Sequence, residues 1–277
     1  MIATTADIID VMETIAPSRL SEKWDNAGLQ AGKLSWPVKR LRVALDPLTT
    51  IVNEACNDNI DMLITHHPLI FKPLTSIDFD TPVGRIIRMA AQHRLAIFTA
   101  HTNLDSARDG LNDLLAYRIG LKNLSVFVQT VQLERQPDQM AVPNEGIGRI
   151  GTTDKGIELV ALATKIKTEL NLEHLKYSGN PHLIVNKIAV CTGSGSGLMS
   201  QFLQSDAQVF ISGDLRYHDA RDAEANQRGL IDISHFASEH LIVAVLQEKL
   251  ENILVSRGYD INIDISFSEK EPFVSIF

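Results

Sequence analysis

Apolar positions along the chain follow two rhythms. Residues 5–16 place Ile8, Ile9, Val11, Met12 and Ile15 at helical spacing, with Thr5 or Asp7 as the cap and Pro17 as the stop. The same spacing predicts helices over 49–58, 82–94, 110–119, 156–171, 198–204, 219–228 and 238–256. Short apolar runs predict strands at 41–46, 61–65, 95–100, 184–190, 209–212 and 230–234, and the alternation across 261–265 predicts a half-buried one. Strands alternating with helices imply β-α-β units and an α/β fold with mainly parallel sheets. Two similar α/β domains are expected, 1–130 and 131–277, with the polar, Pro- and Gly-containing stretch 134–150 as their connection.

The halves echo each other. Each runs strand, helix, strand, helix, strand, and each third strand ends in a histidine: His101, with Asp105 four residues on, and His235, with Glu239 four residues on. Residues four apart share a helical face, so each half presents an imidazole and a carboxylate together. The strand 61–65 runs into His66-His67-Pro68. Neighbouring side chains of a continuing strand point to opposite faces, so both rings reach one site only where the backbone is turning, and Pro68 favours that turn. Ligands gather beyond the carboxyl ends of parallel strands, where all these residues fall.

Composition narrows the setting. A chain of 277 residues that is 44% hydrophobic and 22% charged can bury large cores without disulfides. Cys56 and Cys191 stand far apart and are expected to be buried free thiols in a reducing cytoplasm. No apolar run has the length of a membrane span and the first residues lack a signal-peptide pattern, so a cytoplasmic location with no membrane contact is expected. A net charge of −8 argues against general nucleic-acid binding and leaves room for a small anionic substrate in a local pocket.

Imidazole and carboxylate are the usual ligands of Zn, Fe and Mn. The set is too large for one tetrahedral ion and suits two divalent metal ions per subunit, bridged by Glu239 or Asp105. Hydrolysis is the default chemistry of such a pair, with His101 and His218 as further candidates for catalytic work beside an activated water. The loop 192–197, Thr-Gly-Ser-Gly-Ser-Gly, either offers amides to an anion or is merely a tight β-α turn. Trp24-Asp25-Asn26-Ala27-Gly28-Leu29-Gln30 reads as a turn with Trp24 packed into the core.

That segment, together with Thr65-His66-His67-Pro68-Leu69-Ile70-Phe71, His101-Thr102-Asn103-Leu104-Asp105, Ile211-Ser212-Gly213-Asp214 with His218, and Ser234-His235-Phe236-Ala237-Ser238-Glu239, resembles the Ngg-interacting-factor-three-like family, whose bacterial members are called GTP cyclohydrolase type 2 homologues. The resemblance covers nearly the whole chain. It implies a dinuclear metal site in the cleft between two α/β domains, ligands at His66, His67, Asp105, His235 and Glu239, and a ring-shaped homohexamer. His101 is either a sixth ligand or a residue behind the ligands. The implied activity is metal-dependent hydrolysis of a small nucleotide-like or phosphorylated molecule; metal storage, delivery or sensing, or a hexameric interaction scaffold, are the alternatives. Ser234 departs from the pattern, standing where Gly is frequent.

Overall fold

Burial of short apolar runs on both faces is what organises the chain. A computed structural model describes residues 1–129, 145–274 and 276. Two compact units result: Met1–Leu104 with Ile242–Phe277, and Asp105–Leu241.

The first unit holds a five-stranded sheet in the order Asn262–Ile265, Arg40–Ala44, Met62–Thr65, Ala96–Thr99, Gly28–Ala31. The first four strands run parallel and Gly28–Ala31 is antiparallel at the edge. Parallel neighbours need crossovers, supplied by the helices Thr49–Asn57 and Pro82–His93. Their apolar sides, including Ile51, Val52 and Ile86, close over Leu63 and Ile97. The helix Thr5–Ile15 begins one residue earlier than expected. Thr4 is its cap, and Asp7 returns the bond to the Thr4 amide. The Thr4 side-chain and backbone hydrogen bonds hold the Asp7 carboxyl below its ordinary pKa.

The second unit holds six strands in the order Lys122–Val128, Ile147–Glu158, Ile184–Ser194, Val209–Gly213, Gly229–Asp232, Lys176–Ser178. Its central strands show why runs without alternation are buried twice over. Ile188, Val190, Val209, Ile211 and Ile231 face one cluster, while Ala189, Cys191, Phe210 and Leu230 face the other.

The expected domain boundary at 130/131 differs from this division. The chain passes into the second unit at Asp105 and back at Ile242, because Asn262–Ile265 pairs with Arg40–Ala44. Most of the expected connection 134–150 lies outside the described residues. Its end does not: Ile147–Glu158 is a twelve-residue strand antiparallel to Lys122–Val128 and to Ile184–Ser194. This sheet is therefore mixed, with two parallel pairings, and not mainly parallel. Glycines made the segment read as a loop, yet they serve close strand approach. A Cβ on Gly148 would meet the Val190 carbonyl at 2.8 Å, and one on Gly151 the Lys122 carbonyl at 2.9 Å. The predicted helix 156–171 accordingly starts at Leu159, and the predicted helix 238–256 is two helices, His235–Glu239 and Leu241–Ser256.

The bulkiest fully buried side chain is charged. Arg149, 1% exposed, makes a two-pronged pair with Asp113, Nε to Oδ1 at 2.6 Å and Nη2 to Oδ2 at 2.7 Å. Its other protons go to the carbonyls of Gly146, Gly148 and Ala107. Removing one member of such a pair leaves a buried charge uncompensated. Asp113→Ala is expected to lower stability by about 3–5 kcal/mol, read by urea denaturation.

Candidate metal centre

In the first unit the parallel ladder stops at Thr65. The amides of His66 and His67 both donate to the Leu45 carbonyl, at 3.1 and 2.9 Å, so the backbone is turning where the histidines stand. Thr65 Oγ1 locks the turn by donating to the His67 carbonyl at 2.8 Å. Two adjacent rings therefore face one place, with centroids 5.0 Å apart. His101, following the next strand, brings a third ring 5.2 Å from His66 and 5.7 Å from His67. These three offer ligand atoms within 4.8 Å of one another.

The Nδ1 partners decide how these rings present themselves. His66 Nδ1 is 2.9 Å from the Ala100 carbonyl, His67 Nδ1 is 2.8 Å from Asp46 Oδ1, and His101 Nδ1 is 2.8 Å from Asp25 Oδ1. Carbonyls and carboxylates only accept, so Nδ1 carries the proton and Nε2 of the neutral ring carries the lone pair. This is the arrangement of metal-ligating histidines, whose other nitrogen donates to a carbonyl or carboxylate. Burial raises the Asp25 pKa, but hydrogen bonds from His101 and Thr102 outweigh it and bring it to about 2. Thr102 reaches the other oxygen of Asp25 through both its amide and its hydroxyl. Asp46 is placed by its strand end, where the amides of Leu45 and Asp46 donate to the Glu269 carboxylate at 2.8–2.9 Å.

The second unit repeats the device. His235 opens a five-residue helix that ends at Glu239, and the i, i+4 spacing brings Nε2 within 3.0 Å of Glu239 Oε2. His235 Nδ1 is 2.7 Å from Asp214 Oδ2. In both units an Asp at the end of one parallel strand holds the histidine at the end of the next: Asp46 with His67, Asp214 with His235. Asp105 receives a 3.4 Å hydrogen bond from Thr192 Oγ1, and it offers an oxygen within 4.8 Å of one from Glu239. Two carboxylates that close repel each other, which a shared proton or a cation relieves. Burial, and then the charges of Asp105 and Glu239, push the Cys191 thiol up, which keeps it protonated.

Two amides of the loop 192–197 are engaged within the protein. The Thr192 amide donates to Asn112 Oδ1 and the Gly193 amide to Ser238 Oγ. Gly193, at φ +65°, lies under the carboxylate of Glu239, and a Cβ there would stand 2.3 Å from Oε1. Gly213 is needed because a Cβ would meet the His235 amide nitrogen at 2.6 Å.

His218 is exposed, its ring edge-on to Tyr217, and it belongs to none of the possible ligand groups among the described residues. Trp24 is not packed into the core but 59% exposed. The residues behind the histidines, Asp25, Asp46, Asp214 and Glu269, were not singled out from sequence. Asp46 and Asp214 follow the strand-end rule that found the histidines, whereas Asp25 precedes the antiparallel edge strand Gly28–Ala31. Glu269 carries no such signal, being 224 positions from Leu45. A cavity of about 560 Å³ in the first unit, lined by Trp36, Ile70, Leu74, Ile77 and Ile87 among others, contains none of these residues.

The model of the Duf34/NIF3 (NGG1p interacting factor 3) family matches residues 3–272. The chain belongs to this family. A Clostridium perfringens member called GTP cyclohydrolase 1 type 2 homolog is 32% identical over 96% of this chain and 97% of its own. A Clostridium acetobutylicum member of the same name is 31% identical over the same shares. Among solved structures, a hypothetical protein of Staphylococcus aureus is 31% identical, with a TM-score of 0.86 and 99% of both chains covered. A Bacillus cereus protein related to NIF3 reaches a TM-score of 0.90 over the whole of both chains at 24% identity, and so shares the fold. Among the described residues no helix is long and apolar enough to cross a membrane.

The backbone at Ser234 carries a cost. Ser234 has φ 68°, ψ 156°, a region that is nearly glycine-only. Its hydroxyl accepts from the Ala237 amide and caps the His235–Glu239 turn. Ser234→Gly gives up a few tenths of a kcal/mol of capping and relieves about 1–3 kcal/mol of strain. It should be the more stable protein in urea denaturation. Gly193→Ala should do the reverse at the site, displacing the Glu239 carboxylate and weakening divalent-metal binding in titration calorimetry.

Proposed function

We propose that this chain is a dinuclear divalent-metal protein, with His66, His67, Asp105, His235 and Glu239 as the ligands of two ions, and that it hydrolyses a small nucleotide-like or phosphorylated substrate. The observation that carries the reading is the shared state of the imidazoles. Each directs its Nδ1 proton to a carbonyl or carboxylate and keeps Nε2 as a lone-pair donor. Imidazole nitrogen and carboxylate oxygen suit Zn, Fe or Mn. Bound ions would supply Lewis-acid polarisation and activation of water at neutral pH.

The protein's own contribution is orientation and charge. Asp46, Asp214 and the Ala100 carbonyl hold their rings in one tautomer, and Asp105 and Glu239 supply the negative charge. His101, held by Asp25, is assigned to proton transfer at Nε2 in preference to His218, because it stands beside His66 and His67. The name of the clostridial relatives, GTP cyclohydrolase 1 type 2 homolog, supports a nucleotide substrate. The proposed assembly is a homohexamer, checked by light scattering.

Elemental analysis of metal-supplemented protein should find about two divalent ions per chain. The double variant His66→Ala, His67→Ala should lose metal while keeping the circular dichroism of the folded chain. Asp46→Ala should retain the ligands yet bind metal about 10–100-fold more weakly. A fully metallated preparation that turns over nothing in a panel of nucleotides and phosphoesters sinks the hydrolase reading. Tight, slowly exchanging metal would then point to storage or delivery.

A further inference from the structure

Two large aromatic side chains stand exposed beside the His101 ring. Trp24 is 59% and Phe71 51% exposed. Their centroids are 5.8 Å apart, and they lie 6.0 and 6.5 Å from that of His101. A single exposed aromatic residue is ordinary. A pair gathered at the edge of a group of possible metal ligands is the composition of a binding site.

The two loops are also fixed to each other by hydrogen bonds. Asn26 Nδ2 donates to the Ile70 carbonyl at 2.6 Å, and the Ile70 amide donates to Gln30 Oε1 at 3.1 Å. Gln30 Nε2 closes the circuit on the Asn26 carbonyl at 2.7 Å. Trp24 and Phe71 flank this network in sequence, and Asp25, between Trp24 and Asn26, is the residue that holds His101. The pair is thus held in place before any ligand arrives, which reduces the ordering cost of binding. Lys23 and Lys72, next to Trp24 and Phe71, are exposed and bring positive charge to both loops.

We infer that Trp24 and Phe71 form a stacking platform for a planar heteroaromatic ring bearing an anionic group, which sets the ring of the ligand beside His101. Flat conjugated rings gain from aromatic faces what a saturated sugar does not. This deepens the reading of a nucleotide-like substrate and rests on it.

Binding to zinc-loaded, full-length protein tests it, with GMP, guanosine, ribose 5-phosphate and flavin mononucleotide as probes in titration calorimetry. The ring-bearing phosphates should bind at least about tenfold more tightly than ribose 5-phosphate, and guanosine more weakly than GMP. Trp24→Ala and Phe71→Ala should each weaken GMP binding on the order of tenfold, leave ribose 5-phosphate unchanged and keep full metal content. Trp24→Phe should retain most of the affinity. Equal affinity for ring-bearing and ring-lacking phosphates, no binding of either, or unchanged GMP affinity in both alanine variants overturns the platform. A change in assembly mass in Trp24→Ala with unchanged GMP affinity also overturns it and marks an interface between copies. Wild-type protein that takes up no metal yet still discriminates GMP from ribose 5-phosphate supports the platform and overturns the metal reading alone.

Discussion

One hydrogen bond, repeated, governs the site: the Nδ1 proton of an imidazole given to a group that can only accept. A neutral imidazole has one donor and one acceptor nitrogen, and free in water it exchanges them. Holding Nδ1–H on a carbonyl or carboxylate removes that choice and fixes the plane of the ring. In His67 and His235 the acceptor is an aspartate at the end of the adjacent parallel strand. Adjacent strands lie about 4.8 Å apart, so the end of one strand is within side-chain reach of the next. The sheet is therefore a device for pairing these two histidines with their orienting groups.

Around that bond the backbone makes room. Glu239 lies against Gly193 and the start of the His235 turn against Gly213, and neither position has space for a Cβ. The glycine at position 193 of this loop thus makes room for the carboxylate. Ser234 keeps its cap hydrogen bond while adopting a conformation suited to glycine, a strain located one residue before the histidine it delivers. Opposite in character is Arg149, whose buried charge is fully engaged by Asp113 and three carbonyls and anchors the glycine-rich start of the strand Ile147–Glu158.

The four parallel strands of the first sheet and the histidines that follow them were legible because their signals are local, whereas Gly28–Ala31, in a stretch read as a turn, is an antiparallel edge strand. Apolar runs marked Met62–Thr65 and Ala96–Thr99, and the histidines followed at their ends. The i, i+4 spacing of His235 and Glu239 met on one helical turn as spacing alone requires. The strand Ile147–Glu158 was missed because glycines that permit close strand contact look, in sequence, like glycines that make loops. Trp24 was read as core because so large an aromatic side chain is usually mostly buried. Its exposure reflects the Asn26, Gln30 and Ile70 bonds that bind its loop to a segment more than forty residues away.

By itself the sequence determined most helices, the parallel strands, the α/β class, and a set of histidines and carboxylates at strand ends, since periodicity and strand termination depend on near neighbours. Only the tertiary structure decided which sheet each strand joins, where the two units divide, and which groups orient the ligands. Those outcomes depend on distant pairings such as Ile263 with Leu41, Leu45 with Glu269 and His101 with Asp25. Each is made when packing brings together residues that no local pattern links.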